Sequence, residues 1–163
     1  AILVGDALLT FAFEWLSRNG TPNALAIINT VSRACGTVGL IGGQVLDLQM
    51  ISQPRASTEQ MLNEIAERKT AALITASVVS GALAGGATPV QVRQLKSYAD
   101  KIGLAFQLID DVHDQEGLAQ AMGAEAARVH AQRLIARALS ALEPLGARAQ
   151  TLRQLAAWLS TTA

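Results

Sequence analysis

The chain has 163 residues, half of them hydrophobic and only 4% aromatic, with thirteen basic side chains balanced by thirteen acidic ones. That length is one domain with room for a sizeable core, and an apolar half made mostly of Ala, Leu, Ile and Val disfavours a sandwich or barrel. Zero net charge gives no reason to expect a nucleic-acid partner, and the lone Cys35, read as a small buried filler, excludes an intrachain disulfide and fits a reducing, cytoplasmic setting.

The first residues, "AILVGDALLTFAFEWL", lack a starting Met and a basic leader and carry Asp6 and Glu14, so they read as the middle of a helix in a longer protein. "RNGTPN" (18–23) is a loop whose Thr21-Pro22 opens a second helix. That helix is expected to run unbroken to "MI" at 50–51 and, being uncharged from Ala34 to Leu46, to be central. After "SQPRA", Ser57-Thr58-Glu59-Gln60 offers a capping box for a helix from about residue 58. The uncharged run from Thr70 to Val92 is long enough for a membrane span, but Gly81, Gly85, Gly86 and Pro89 interrupt it. It reads as a fully buried central helix ending at the glycines, and no membrane span is expected. Thr88-Pro89-Val90-Gln91 then starts a helix that carries the aspartates and stops near Gly117. Two further helices are expected near 120–142 and 147–160. No segment alternates with period two, so the chain is predicted to be all-α, a single helical bundle.

The chemistry concentrates in "AFQLIDDVHDQEG" (105–117). On a helix turning ~100° per residue, with Asp110 at zero, Asp114 lies at ~40°, Gln107 at ~60° and Asp111 at ~100°, one shared face. Two carboxylates ~5 Å apart repel by about 3 kcal/mol at an effective dielectric of 20. Such a face inside a bundle calls for cations, and hard oxygen ligands select Mg²⁺; a solvated helix end is the alternative. The flanking Ile102, Leu104, Ala105, Phe106, Leu108 and Ile109 are apolar nearly all round, which favours the buried, metal-binding reading. Gln44 and Asp47 share a helix face, either as a link between helices or as part of a site. Lys69-Thr70 opens an uncharged helix, where the lysine either reaches solvent or serves a bound polyanion. His113 and His130 read as exposed.

Together "GDALLTFAFE" (5–14), "GGQVLDL" (42–48), "ERKTAALI" (67–74) and "GLAFQLIDDVHD" (103–114) closely resemble the short-chain trans-isoprenyl diphosphate synthases, bacterial farnesyl diphosphate synthases in particular. The resemblance implies a helical bundle around a deep central cavity, usually a homodimer. It implies a prenyltransferase joining an allylic diphosphate to isopentenyl diphosphate, both small molecules. It also implies that Asp110, Asp111 and Asp114 hold Mg²⁺, directly or through water, and that Lys69 contacts the allylic diphosphate. Thr70 and Gln107 present oxygen dipoles to the allylic cation, and Gln44, Asp47 and Phe106 line the substrate cavity. Phe11 or Phe13 is the candidate cap for the pocket floor.

The chain departs from that family in lacking the first aspartate-rich motif and the upstream basic residues that hold isopentenyl diphosphate. No lysine follows Lys101, so "QEGLAQAMG" reads as a shortened join where the family has a lysine-bearing loop. Two rivals remain: a class I terpene cyclase, against which Lys69-Thr70 argues, and a non-catalytic modulatory subunit of a prenyl synthase.

Overall fold

In the computed structural model, which describes residues 1–18, 20–52 and 58–162, every regular element is helical. Helix α1 spans Ile2–Arg18, α2 Ala24–Cys35, α3 Leu40–Ser52 and α4 Glu59–Ile65. A π-helical turn, Ala66–Ala71, joins α4 to α5 (Ala72–Ala84), and α6 (Pro89–Asp114), α7 (Gly117–Met122) and α8 (Ala124–Ala141) follow. A 3₁₀ turn, Glu143–Ala149, leads into α9 (Gln150–Thr161).

The core is built on α6. Its inner face, Tyr98, Ala99, Ile102, Ala105, Leu108, Ile109 and Val112, packs against Ala127, Ala131, Leu134, Ile135 and Ala138 of α8. Ala99, Ala105, Ala127, Ala131 and Ala138 have no exposed surface at all. Alanine at these positions lets the two backbones approach closely while adding no side-chain entropy cost. Thr88 starts α6 as the sequence predicts: its hydroxyl accepts from the Gln91 N–H at 3.3 Å, and the Gln91 side chain accepts from the Thr88 N–H at 2.9 Å. Thr58 alone caps α4, accepting from the Met61 N–H at 3.2 Å; Ser57 lies outside the described residues.

Tyr98 ties α6 to α9, donating its hydroxyl to the Leu152 carbonyl at 2.8 Å. Burial pushes its pKa from 10.0 up to about 12. A raised value means the neutral phenol is what the fold favours, so this contribution is full below the unfolded value and is lost as pH rises through the folded one. Tyr98→Phe is expected to cost about 1 kcal/mol at neutral pH, a few degrees in Tm, by removing the hydrogen bond to the Leu152 carbonyl. Thermal melts at pH 7 and 11 check both parts: the gap between variant and native protein narrows at the higher pH.

Two expectations are corrected. The helix expected from Thr21-Pro22 to residue 51 is two helices, interrupted at residues 36–39. There Gly36 closes α2, its N–H donating to the Ser32 carbonyl at 2.9 Å. A side chain at Gly39 would run into the backbone of Ala34, so the turn is one that glycine permits. Taken as one stretch, Ala24–Ser52 is apolar enough to cross a membrane by composition, with mean hydropathy 1.5. As two helices of 12 and 13 residues, each reaches only ~20 Å of a ~30 Å hydrocarbon layer. The 13-residue α5 falls short in the same way.

The second correction concerns burial. Neither of these apolar helices is fully enclosed: α3 buries only Gly43, and α5 buries Ala76, Val79 and Ala82 along one face. Helix α1 has no buried residue, and Ile2, Leu3, Val4, Leu8 and Trp15 are exposed along it. Cys35, expected as a buried filler, is only half-buried. Apolar content records what a helix can bury; the close α6–α8 packing decides what is buried here.

Candidate active site

The π turn at Ala66–Ala71 is held from two sides. On α3, Gly43 lies so close that an added Cβ would sit 2.8 Å from Lys69 Cα and 2.9 Å from the Arg68 carbonyl carbon. On α6, a Cβ at Gly103 would sit 2.7 Å from both Cα and Cβ of Ala71. The turn widens the helix by one residue, and the Ala72 N–H donates to the Glu67 carbonyl five residues back. Lys69 and Thr70, neighbours on this turn, meet different partners.

Lys69 Nζ donates to Asp47 Oδ2 of α3 at 2.6 Å. Gln44 approaches the same oxygen at 3.5 Å, the limit of a useful hydrogen bond. Thr70 Oγ1 donates to Gln107 Oε1 at 2.5 Å, and Gln107 Nε2 donates to Asp111 Oδ1 at 2.6 Å. The Leu118 N–H of α7 donates to the other carboxylate oxygen of Asp111 at 2.7 Å. Asp47, Lys69, Thr70, Gln107 and Asp111 line one cavity of about 320 Å³ together with Met50, Ile51, Leu62, Ile65, Ala66 and Leu118; Gln44, expected to line it, reaches only Asp47. Lys69 keeps 40% of its side chain exposed, so its ammonium can meet a solvated anion as well as Asp47.

A larger cavity, about 750 Å³, opens between α2, α5 and α6. None of the predicted site residues lines it, and its Asp100 is already held by Lys96 at 2.7 Å and Thr75 at 2.9 Å. The smaller cavity, which the predicted residues line, is therefore the candidate site.

The three aspartates do not converge. Asp111 is buried, 6% exposed, while Asp110 and Asp114 are exposed on the same helix. Burial raises the Asp111 pKa above its usual 3.8 and the charges of Asp110 and Asp114 add to the rise, against hydrogen bonds from Gln107 and Leu118 that lower it. Among the described residues no three His, Cys, Asp or Glu side chains are gathered as a metal-holding group. What α6 offers a divalent cation is Asp110 and Asp114, open oxygens one turn apart. Neither lines the cavity; their oxygens are of the hard type that Mg²⁺ takes.

Phe106 is exposed and does not line the cavity, nor do Phe11 and Phe13. Phe11 instead packs against Trp15, the rings tilted at 47° with centroids 5.9 Å apart. His113 and His130 are exposed, as expected. Sequence reading missed Glu116 and Gln120, which the short helix α7 brings to the cavity rim. The only hint was Gly117, whose φ of +54° turns the chain back over Asp111.

The sequence profile of the polyprenyl synthetase family matches residues 1–155. The chain belongs to the polyprenyl synthetase family. It is 39% identical to a dimethylallyltranstransferase from Fischerella ambigua, covering 99% of this chain and 53% of that protein. It is 43% identical to a geranylgeranyl diphosphate synthase from Cyanophora paradoxa over 76% of this chain and 43% of that one. Among solved structures, an FPP/GFPP synthase from Zymomonas mobilis superposes with a TM-score of 0.90 at 33% identity, over 95% of this chain and 59% of its own. The fold is thus the all-α isoprenoid synthase fold, and the chain spans about half the length of the curated relatives it matches. The Fischerella match runs over 184 positions, more than the 163 residues here, so that relative has residues within the matched region that this chain lacks.

Proposed function

We propose that this protein is a prenyltransferase that condenses an allylic diphosphate, dimethylallyl or geranyl, with isopentenyl diphosphate to give a short trans-prenyl diphosphate such as farnesyl diphosphate. The observation that carries the reading is the meeting of Lys69, Thr70 and Gln107 around one cavity beside the DDVHD helix, in a chain of this family. The allylic C–O bond breaks and its electron pair leaves with the diphosphate. The isopentenyl double bond attacks the resulting cation, and the proton lost afterwards goes to the released diphosphate, so no protein base is needed.

Lys69 binds the leaving diphosphate and offsets its growing charge, a contribution realised mainly as the bond breaks. The oxygens of Thr70 and Gln107 face the cation, and Gln44 and Asp47 set the Lys69 ammonium in place. The apolar part of the wall, Met50, Ile51, Leu62 and Ile65, excludes the water that would quench the cation. Asp110 and Asp114 would hold Mg²⁺, whose chemistry here is charge stabilisation of the diphosphate. Asp111, with both oxygens already engaged, acts from behind them. The exposed apolar side chains of α1 support a homodimer, and half-buried, unpaired Cys35 agrees with a cytoplasmic setting.

Calorimetry with inorganic diphosphate tests the metal part. Binding is expected to require Mg²⁺ and to weaken by ~10-fold or more in Asp110→Ala, the scale of one charge-assisted contact. Equal binding with and without Mg²⁺ would count against the reading.

A further inference from the structure

We propose that Asp111 is a positioning residue whose carboxylate, fixed by the backbone of the short α6–α7 join, sets which way round the Gln107 amide stands. The argument is one of donors and acceptors. An ionised carboxylate only accepts. Oδ2 of Asp111 is taken by the Leu118 N–H at 2.7 Å, and a backbone donor cannot reverse its role. Oδ1 is 2.6 Å from the Gln107 amide. With the amide turned over, two acceptor oxygens would face each other at that distance; only Nε2 can stand there. Oε1 is therefore left facing Thr70, and at 2.5 Å the hydroxyl must be the donor.

The backbone enforces the first link. Gly117 has a φ of +54°, and an added Cβ would lie 2.7 Å from the Asp111 carboxyl carbon, so the join closes directly onto the carboxylate. The consequence reaches the cavity. The Thr70 proton is taken up by Gln107, its lone pairs are left free, and the positive end of the Gln107 amide is taken up by Asp111. For the prenyl transfer proposed above, on which this consequence rests, that is the polarity a forming allylic cation needs.

The isosteric Asp111→Asn variant inverts the chain. The amide introduced at position 111 must still accept from Leu118, so its NH₂ faces Gln107 and turns that amide round to present its own NH₂ to Thr70. Adding Gln107→Glu restores the pattern, because a carboxylate at position 107 accepts both from the new amide and from Thr70. Two readouts test this in the whole protein. In substrate-free native protein, NMR should show a trans-hydrogen-bond coupling between Gln107 Nε2 and the Asp111 carboxyl carbon. In steady-state kinetics, D111N should lower kcat by ~10-fold with the allylic KM within about twofold, and D111N/Q107E should recover most of it. A native protein without the coupling, or a double variant no faster than D111N, would overturn the proposal. If the coupling is present but the native chain forms no prenyl product, the orienting role stands and it is the prenyltransferase reading that fails.

Discussion

Lys69→Ala is expected to lower kcat by ~100- to 1,000-fold, the usual cost of removing a group that stabilises charge developing in the transition state. The loss should come with little change in stability. Lys69 pairs with Asp47 at 2.6 Å, but the lysine is 40% exposed and solvent screens the pair; such pairs contribute roughly 0–1 kcal/mol. The distinction matters, because a structural lysine would show the opposite balance. Steady-state rates at saturating allylic diphosphate, set beside urea melts of the same preparation, separate the two. A loss below tenfold would place Lys69 away from the diphosphate and leave it as the partner of Asp47.

Gly43→Ala should damage both fold and activity through a single methyl group. The added carbon would meet backbone atoms of Arg68 and Lys69, none of which can rotate away. Either α3 or the π turn must shift, at a cost of about 1–3 kcal/mol for an overpacked contact. Any shift also moves Lys69 relative to Asp47, so kcat should fall alongside Tm. Gly81→Ala is the matched control: in α5, with nothing within 4 Å of an added Cβ, it is expected to raise stability by about 0.5–1 kcal/mol. Melting curves and rates for the pair would show opposite signs in Tm and a rate loss only in Gly43→Ala. Equal stabilisation of both would mean that α3 does not pack on the π turn.

These two contacts mark what could be read from the amino acids alone. The start of α6 was legible because Thr88, Pro89 and Gln91 each do a local job that requires no neighbour. The α6 core was legible because its apolar residues recur at helical spacing, although Phe106 in the same run points outward. The break between α2 and α3 was hidden, since glycines inside an apolar run signal close packing and chain reversal alike. The π turn had no local signal: "ERKTA" suits an ordinary helix, and its widening goes with the close approach of Gly43 and Gly103 from elements distant in sequence.

The candidate site shows the same division. Helical arithmetic put Gln107 and the aspartates on one face, and Lys69-Thr70 with Gln107 carried the family resemblance. Asp111 turns inward while Asp110 and Asp114 stay outside, and the donor that meets it there, the Leu118 N–H, comes from α7. The i, i+4 spacing of Gln107 and Asp111 allowed their hydrogen bond without requiring it. Glu116 and Gln120 reach the rim where the chain turns back through Gln115 and Gly117, both at positive φ.

The most direct measurement of the central claim is a condensation assay: the protein with Mg²⁺, labelled isopentenyl diphosphate and dimethylallyl or geranyl diphosphate in turn, with the extracted prenyl products sized. The account predicts a labelled short-chain product that disappears in Asp110→Ala. Folded protein that forms no elongated product with either primer would contradict it, and cyclised hydrocarbon from an allylic diphosphate alone would identify a terpene cyclase instead.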